Sequence, residues 1–212
     1  MIHRTPFILP LLYPTLTWRQ PVQGKELFLT FDDGPVPGPT EFVLETLASK
    51  KAQATFFCIG DNVRKHPDVF RRIGNNGHAI GNHTFQHKNG WRTSAADYVD
   101  NVKASQEIME QIGIGHSYPD QKLFRPPYGR ITRRQIRMLK EYRIIMWDVL
   151  TIDYNARLAG ERCLSNSIKA TRNGSIIVFH DSLKAERNLR YALPRFIDHF
   201  HQMGFSFKSL AL

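Results

Sequence analysis

The feature that most constrains the fold is the alternation of short apolar runs with longer helical patterns along nearly the whole chain of 212 residues. The runs are almost continuously apolar, which is typical of strands buried on both faces of a parallel sheet. We therefore predict an α/β chain whose parallel sheet is either open and doubly wound or closed as a barrel. The predicted strands are Leu27–Phe31, Thr55–Ile59, Ala79–Asn82, Leu123–Arg125, Ile144–Asp148, Ser175–His180 and Phe205–Lys208.

Helical patterns fill the stretches between the predicted strands. Pro194 predicts that the last of these helices begins or kinks there, because proline removes a helical hydrogen bond. No linker or low-complexity segment divides the chain, which indicates one catalytic domain over residues 25–212; His116–Lys122 is the clearest predicted loop. The predicted helices are Thr40–Lys51, Val63–Asn75, Ala95–Ile112, Thr132–Tyr142, Arg162–Arg172 and Leu189–Gln202.

Residues 1–24 form a separate N-terminal segment with an apolar stretch from Phe7 to Leu16. The stretch partly resembles a signal peptide, but Pro10 and Pro14 interrupt it and no small-residue cleavage pattern follows. It is also too short to cross a bilayer. We expect this segment to pack on the domain, with no transmembrane span. Peripheral contact with a membrane surface stays open, and so does localisation in the cell envelope or the cytoplasm of a bacterium.

The net charge is unusual, because 29 Lys and Arg against 19 Asp and Glu give +10. A basic surface suits anionic partners such as nucleic acid, anionic lipid or an acidic polymer. The basic residues are nevertheless spread along the chain, without an RNA-binding fingerprint or zinc-finger spacing. We therefore expect no nucleic-acid partner and favour a solvated basic surface.

Polar side chains follow most of the predicted strands. The carboxyl ends of parallel strands meet at one rim, where the active sites of such folds lie. The sequence therefore predicts a site built from acids, imidazoles and a guanidinium. The residues expected at this rim are Asp32, Asp33, Asn82, His83, His87, Arg125, Tyr128, Asp148, Asp153, His180 and Asp181.

His83 and His87 are four residues apart, a spacing that places two imidazoles on one face of a helical turn. With a carboxylate from a neighbouring strand they would form an open two-histidine, one-carboxylate zinc set. The same ligands also hold iron, cobalt or nickel. The spacing alone is weak, since the chain has nine histidines.

Five separated motifs give these residues a family resemblance. They are Thr30–Gly34 (TFDDG), His83–His87 (HTFQH), Arg125–Gly129 (RPPYG), Asp153-Tyr154 and Val178–His180 (VFH). In this order they resemble the polysaccharide deacetylases of carbohydrate esterase family 4, the NodB-homology group. The resemblance runs from about residue 27 to the C-terminus and implies a distorted (β/α)7 barrel.

The resemblance implies different roles for the two adjacent acids. Asp33 would bind one divalent metal ion together with His83 and His87, with zinc expected and cobalt, nickel or iron as alternatives. Asp32 would be the general base toward the attacking water. Arg125 would pair with Asp32 and hold it in place.

The resemblance also implies residues for the later steps and for the substrate. His180, oriented by Asp153, would protonate the departing amine, and the backbone N–H of Tyr128 would help to stabilise the oxyanion. Tyr154 stands where the family usually has tryptophan, which changes the wall of the acetyl pocket. Phe179 is expected to help line the site.

These residues predict a metal-dependent N-deacetylase that acts on an acetylated glycan, such as peptidoglycan or a chitin-like N-acetylglucosamine polymer. The alternatives are an O-acetyl esterase of the xylan type, a related barrel hydrolase of cyclic imides or ureides, and a basic glycan-, lipid- or nucleic-acid-binding module with a decayed site. The complete set of Asp33, His83 and His87 argues against the second alternative. Retention of Asp32, Arg125, Asp153 and His180 argues against the third.

Overall fold

A curled, entirely parallel sheet forms the centre of the fold, in a computed structural model that describes residues 3–113 and 121–210. Its path runs β5-β4-β3-β2-β1-β7-β6, and β8 pairs with the first residues of β1. This arrangement confirms the predicted distorted (β/α)7 barrel; most of the loop predicted at residues 116–122 lies outside the described residues. The strands are β1 (Glu26–Asp32), β2 (Ala54–Cys58), β3 (Ala79–Asn82), β4 (Leu123–Phe124), β5 (Arg143–Ile144), β6 (Val149–Leu150), β7 (Ile176–His180) and β8 (Ser206–Phe207).

The helices pack around this sheet and differ from the prediction at three places. The predicted helix 63–75 is two helices, because a residue before proline disfavours helical geometry and His66 precedes Pro67. The last helix begins at Glu186 and continues past Pro194, so a start at the proline is wrong, whereas the alternative of a kink there stays a prediction. A short helix at Ile8–Leu12 was not predicted. The helices are α1 (Ile8–Leu12), α2 (Pro39–Ser49), α3 (Gly60–Lys65), α4 (Pro67–Asn75), α5 (Ala95–Ile112), α6 (Arg133–Met138), α7 (Gly160–Ala170) and α8 (Glu186–Gln202).

The predicted fifth strand is interrupted, and the interruption brings the two edges of the sheet together. β5 pairs with β4 at one edge, whereas β6 pairs with β7 at the other edge. Residues 145–148 cross between them, and Thr17 of the N-terminal segment bridges to Ile145 in parallel fashion. The N-terminal segment thus contributes backbone pairing where the barrel closes.

The N-terminal segment also contacts the barrel at its two ends. Arg4 forms an antiparallel bridge with Val149, and Arg19 forms one with Ser175. The Nε of Arg4 donates to the carbonyl oxygen of Ala170 at 2.8 Å. Within residues 3–113 and 121–210, no helix has the length and apolar character needed to cross a membrane.

Strand alternation divides the apolar side chains between two layers. Phe31, Phe56 and Phe179 stack on one another in the core beneath the helices, with ring centroids 5.0 and 6.2 Å apart along the row. Phe28 and Phe57 belong to a separate cluster on the other face. Because successive residues of a strand point to opposite faces, Thr30 and Asp32 share the face of Phe28. The side chains of the site therefore emerge from the barrel interior.

Candidate active site

Asp32 and Asp33 lie at the carboxyl end of β1, but their side chains diverge. Asp32 is the last residue of the strand and is almost fully buried. Asp33 has a φ of 81°, so the chain turns sharply immediately after the strand. The two carboxylates consequently occupy different environments.

Unusual backbone geometry is concentrated around this site. Six non-glycine residues in the described part of the chain have positive φ, and all except Lys51 lie in the loops of the rim. Such conformations cost free energy in L-residues and persist where surrounding structure enforces them. The five residues at the rim are Asp33, Thr84, His87, Tyr128 and Ile152.

The segment from His83 to His87 is a strained loop, so the prediction that these histidines share one face of a helical turn is wrong. The φ angles of Thr84 and His87 are 64° and 53°. Asn82 Oδ1 accepts a hydrogen bond from the Thr84 N–H, and Asn101 Oδ1 accepts from the next two amides of the loop. The imidazoles still come together, with ring centroids 5.1 Å apart.

Asp33, His83 and His87 form a candidate metal centre. One potential ligand atom from each residue lies within 4.8 Å of the others. Asp33 Oδ1 is 3.2 Å from His87 Nε2 and 3.7 Å from His83 Nε2. That oxygen is buried and accepts no well-formed hydrogen bond from any described residue. A buried carboxylate oxygen without a donor fits a bound cation.

The far sides of both imidazoles are held so that Nε2 faces Asp33. His83 Nδ1 lies 2.8 Å from the carbonyl oxygen of Arg125, and His87 Nδ1 lies 3.1 Å from the hydroxyl of Tyr128. Such outer hydrogen bonds orient metal-ligating histidines. Burial lowers the pKa of His83 to about 4, so its ring is neutral at pH 7, as a ligand must be. Burial tends to raise the pKa of Asp33, but His87, His180 and His83 outweigh this effect and lower it. The donor set therefore fits a divalent ion.

Asp32 forms an ion pair with Arg125 inside the barrel. Arg125 Nη1 lies 2.7 Å from Asp32 Oδ1 and also donates to Thr30 Oγ1. Its remaining nitrogens donate to the carbonyl oxygens of Ile145 and Met146, in the segment that crosses between β5 and β6. Arg125 is fully buried, and its guanidinium lies 4.1 Å from the ring centroid of Phe57. The guanidinium is thus fixed from three sides and holds the Asp32 carboxylate in one orientation.

His180 forms a second ion pair with Asp153. His180 Nδ1 lies 2.7 Å from Asp153 Oδ1, and the backbone N–H of His180 donates to Asp153 Oδ2. Burial tends to lower the pKa of His180, but the charge and hydrogen bond of Asp153 outweigh it and raise the pKa to about 9. The imidazole is therefore protonated at neutral pH. Asp153 is itself buried and follows β6, a short strand that was not among the predicted ones.

Asp181 anchors the turn that carries Asp33. Its Oδ1 accepts from the Gly34 N–H at 3.0 Å, and its Oδ2 accepts from the Thr40 hydroxyl at 2.6 Å. Burial raises the pKa of Asp181 to about 8, against the lowering effect of the Thr40 hydrogen bond. A Cβ at position 34 would lie 2.0 Å from Asp181 Oδ2, so only glycine fits there.

One pocket with a volume of about 510 Å³ is lined by Asp32, Asp33, His83, His87 and His180. Tyr128 and Tyr154 line it, as expected, and the ring of Tyr154 packs edge-on against His180 at 4.9 Å. Sequence reasoning missed several further lining residues, among them Arg130, Trp147 and Lys184. No periodic pattern indicates Lys184, which lies in a loop, or Trp147, which lies in the segment that crosses between β5 and β6. Arg130 could have been predicted, because it directly follows the RPPYG motif.

Two residues expected at the site lie elsewhere. Phe179 points to the opposite face from Val178 and His180 and is buried between Phe31 and Phe196, so the prediction that it lines the site is wrong. Asp148 immediately precedes β6 rather than ending a strand. It pairs with Arg172 at the amino end of β7, away from the rim.

Comparisons with known proteins identify the family. The profile described as polysaccharide deacetylase matches residues 19–147. The chain belongs to the polysaccharide deacetylase family. The prediction of a hydrolase of this family is thereby confirmed.

Two curated relatives and one solved structure show how far the likeness extends. The chain is 34% identical over 164 residues to a peptidoglycan-N-acetylglucosamine deacetylase of Bacillus cereus, covering 76% of this chain and 58% of the relative. It is 34% identical to a chitooligosaccharide deacetylase of Azorhizobium caulinodans, over 74% of each chain. The crystal structure of the Bc1960 peptidoglycan N-acetylglucosamine deacetylase superposes with a TM-score of 0.87 at 30% identity, covering 97% of this chain and 95% of that one. Family membership and fold thus agree.

Proposed function

We propose that this chain is a metal-dependent deacetylase that releases acetate from an N-acetylated glycan of the peptidoglycan or chitin-like class. One observation carries the proposal. A candidate metal centre, a buried aspartate paired with arginine and a protonated histidine paired with aspartate all face the same pocket. Metal-assisted amide hydrolysis uses these three functions together. The names of the relatives support the N-acetylated substrate.

Asp33, His83 and His87 would hold the divalent ion, with zinc expected from the two-histidine, one-carboxylate set. A bound ion lowers the pKa of coordinated water and polarises a carbonyl oxygen. The protein's own contribution is to present the three ligand atoms on a rigid loop and strand end. Tyr128 and the carbonyl oxygen of Arg125 fix the imidazole orientations from behind.

Asp32 and His180 divide the proton transfers between them. Asp32 is the general base in this proposal, because its carboxylate borders the pocket and its other side is fixed by Arg125. His180 is the general acid, since Asp153 keeps its imidazole protonated at neutral pH. An amine leaves poorly without a proton, so a charged imidazole suits this step.

Tyr128, Tyr154 and Trp147 are the proposed substrate contacts. The left-handed conformation of Tyr128 (φ 60°) places it at the junction of the metal centre and the pocket, where its N–H would serve the oxyanion. Tyr154 and Trp147 supply aromatic faces, and Lys184 lies 5.5 Å from the ring of Tyr154. Trp147 would thus supply indole surface in a chain that has tyrosine at the usual tryptophan position.

The test is acetate release from a panel of acetylated glycans, with zinc, cobalt or nickel supplied after chelation. We expect Asp33→Ala to lose bound metal and activity, whereas Asp32→Asn keeps metal and loses at least about a hundredfold in kcat, the usual size of a general-base contribution. Asp100→Asn, an exposed carboxylate on α5, is the matched control and should match the wild type in both. Metal content is measured by mass spectrometry.

Two outcomes contradict the proposal. Equal metal loss in the Asp33 and Asp32 variants would contradict the separate roles proposed for the two aspartates. Activity that survives chelation would contradict the proposed metal dependence.

The same panel of substrates distinguishes amide hydrolysis from ester hydrolysis. His180→Ala should abolish acetate release from an N-acetyl sugar but affect an O-acetyl ester far less, because an alkoxide leaves more readily than an amine anion. Turnover of O-acetylated xylan alone would establish the esterase alternative instead.

A further inference from the structure

Helix α1 exposes an unusual amount of apolar surface. Phe7 is 81% exposed, Leu11 is 69% exposed, and Ile8 and Leu12 are also exposed. These four side chains, here termed the α1 face, lie within six consecutive residues. They make up four of the nine large apolar side chains that are exposed in the described residues. A contiguous exposed apolar patch of this kind marks an interaction surface.

The surroundings of the α1 face are basic. No Asp or Glu occurs before Glu26, whereas Arg4 and Arg19 flank the helix. A second basic stretch adjoins it through α6, because the guanidinium of Arg133 lies 6.0 Å from the ring of Tyr13. Residues 130–140 contain five Arg and Lys and no acid. The patch is therefore apolar at its centre and cationic at its margins.

The inner side of α1 connects this patch to the catalytic pocket. Leu9 and Tyr13 line an aromatic cavity of about 320 Å³ that lies between the N-terminal segment and the rim. Tyr128 and Trp147 line both this cavity and the catalytic pocket. Trp91, which is 64% exposed, borders the cavity as well. The α1 face and the mouth of the active site are thus close neighbours.

We propose that the α1 face docks on an anionic lipid bilayer, with α1 lying in the interfacial region and the flanking arginines against lipid headgroups. Apolar side chains beside cationic ones bind such surfaces through burial and electrostatic attraction acting together. A second copy of the chain is a poorer partner, because a symmetric contact would bring two sets of arginines together. An acidic lipid surface satisfies both the apolar centre and the basic margins. The inference goes beyond deacetylation and does not rest on it.

Docking in this orientation would bring the catalytic pocket close to the membrane. A glycan anchored to lipid, or one lying against the bilayer, would then reach Tyr128 and Trp147 over a short path. This assigns the chain a place at the envelope membrane without a membrane-spanning helix among the described residues.

The test is cosedimentation of the purified chain with phosphatidylcholine vesicles that contain or lack phosphatidylglycerol. We expect binding to the anionic vesicles, weakened by salt as the Debye length falls. The double variant Phe7→Ser/Leu11→Ser should bind at least about tenfold more weakly, since two apolar side chains no longer enter the interface. Both positions are exposed, so the fold is retained. Arg133→Gln/Arg137→Gln should lose part of the dependence on phosphatidylglycerol.

The matched control is Leu183→Ser/Met203→Ser, which removes two exposed apolar side chains outside the α1 face. It should bind as the wild type does. Equal weakening in both double variants, or no binding of the wild type to anionic vesicles, overturns the proposal. So does a concentration-dependent dimer that Phe7→Ser/Leu11→Ser abolishes, because the face would then lie between two copies. Each of these outcomes leaves acetate release unaffected and is thus distinct from failure of the proposed activity.

Discussion

Removal of the Arg125 side chain should produce the largest loss of stability of any substitution at the rim. Arg125→Met keeps much of the aliphatic volume but deletes the guanidinium that is paired with Asp32. Asp32 is only 4% exposed, so its carboxylate would stay buried without its partner. The carbonyl oxygens of Ile145 and Met146 would lose their donors as well.

The expected cost follows from these contacts. Breaking a buried pair by removing one partner costs about 3–5 kcal/mol, because an uncompensated charge is left behind. We therefore expect Arg125→Met to lower the free energy of unfolding by about 4 kcal/mol. Asp32→Asn alone should cost about 3 kcal/mol, since the buried guanidinium then lacks its counter-charge. The double variant should lose about 1–3 kcal/mol less than the sum of the two single losses, because neither charge is then left without a partner.

Urea unfolding, followed by circular dichroism on chelated protein, measures all four members of this cycle. Chelation removes any difference in bound metal. The reasoning is refuted if the two single effects add to the double effect within about 0.5 kcal/mol, which is the behaviour of independent sites. A guanidinium that acts only through packing on Phe57 would give that additive result.

Two further predictions concern the same rim. Because Asp153 raises the pKa of His180 to about 9 despite burial, the pair stabilises the fold fully below the unfolded pKa of about 6.5, and the stabilisation is lost as pH rises through 9. The stability difference between wild type and His180→Gln in chelated protein should therefore shrink by about 3 kcal/mol between about pH 6 and pH 10, as followed by urea titrations; a constant difference would contradict the ion pair. Gly34→Ala should destabilise the protein by about 1–3 kcal/mol, because the new Cβ would meet Asp181 Oδ2 at 2.0 Å. Thermal unfolding should show a smaller effect of Gly34→Ala in an Asp181→Ser background, and an equal effect would exclude this clash as the cause.

The position of the site was predictable because topology controls it. Parallel strands bring their carboxyl ends to one rim, so motifs that follow buried apolar runs had to converge there. Asp33, His83 and His87 come together in this way, although the loop that presents the histidines is not the expected helical turn. The strained backbone at Thr84 and His87 is held by loop N–H groups that donate to Asn82 Oδ1 and Asn101 Oδ1, and no local sequence pattern encodes that support.

The wrong predictions fall mainly where the chain changes direction and no periodic sequence pattern indicates the change. Asp148 was placed at the wrong end of the barrel because residues 145–148 cross between two sheet edges instead of continuing a strand. Trp147 reaches the pocket from the same crossing. Phe179 was different, since alternation along β7 already separates it from Val178 and His180. The family motif led to the wrong prediction for Phe179, and its core position agrees with the alternation of side chains along the strand.

The hydrogen-bond ladder between β1 and β7 has a consequence for how this scaffold can vary. Asp32 and His180 are register partners in adjacent strands, so main-chain pairing sets the spacing of their backbones at about 4.8 Å. A slip of one residue in either strand would turn Asp32 or His180 to the opposite face of the sheet. The loops that carry Tyr128, Trp147 and Lys184 take no part in that ladder. If the proposed roles hold, loop exchange can therefore alter substrate preference, while the two side chains proposed to transfer protons keep the separation that the sheet imposes.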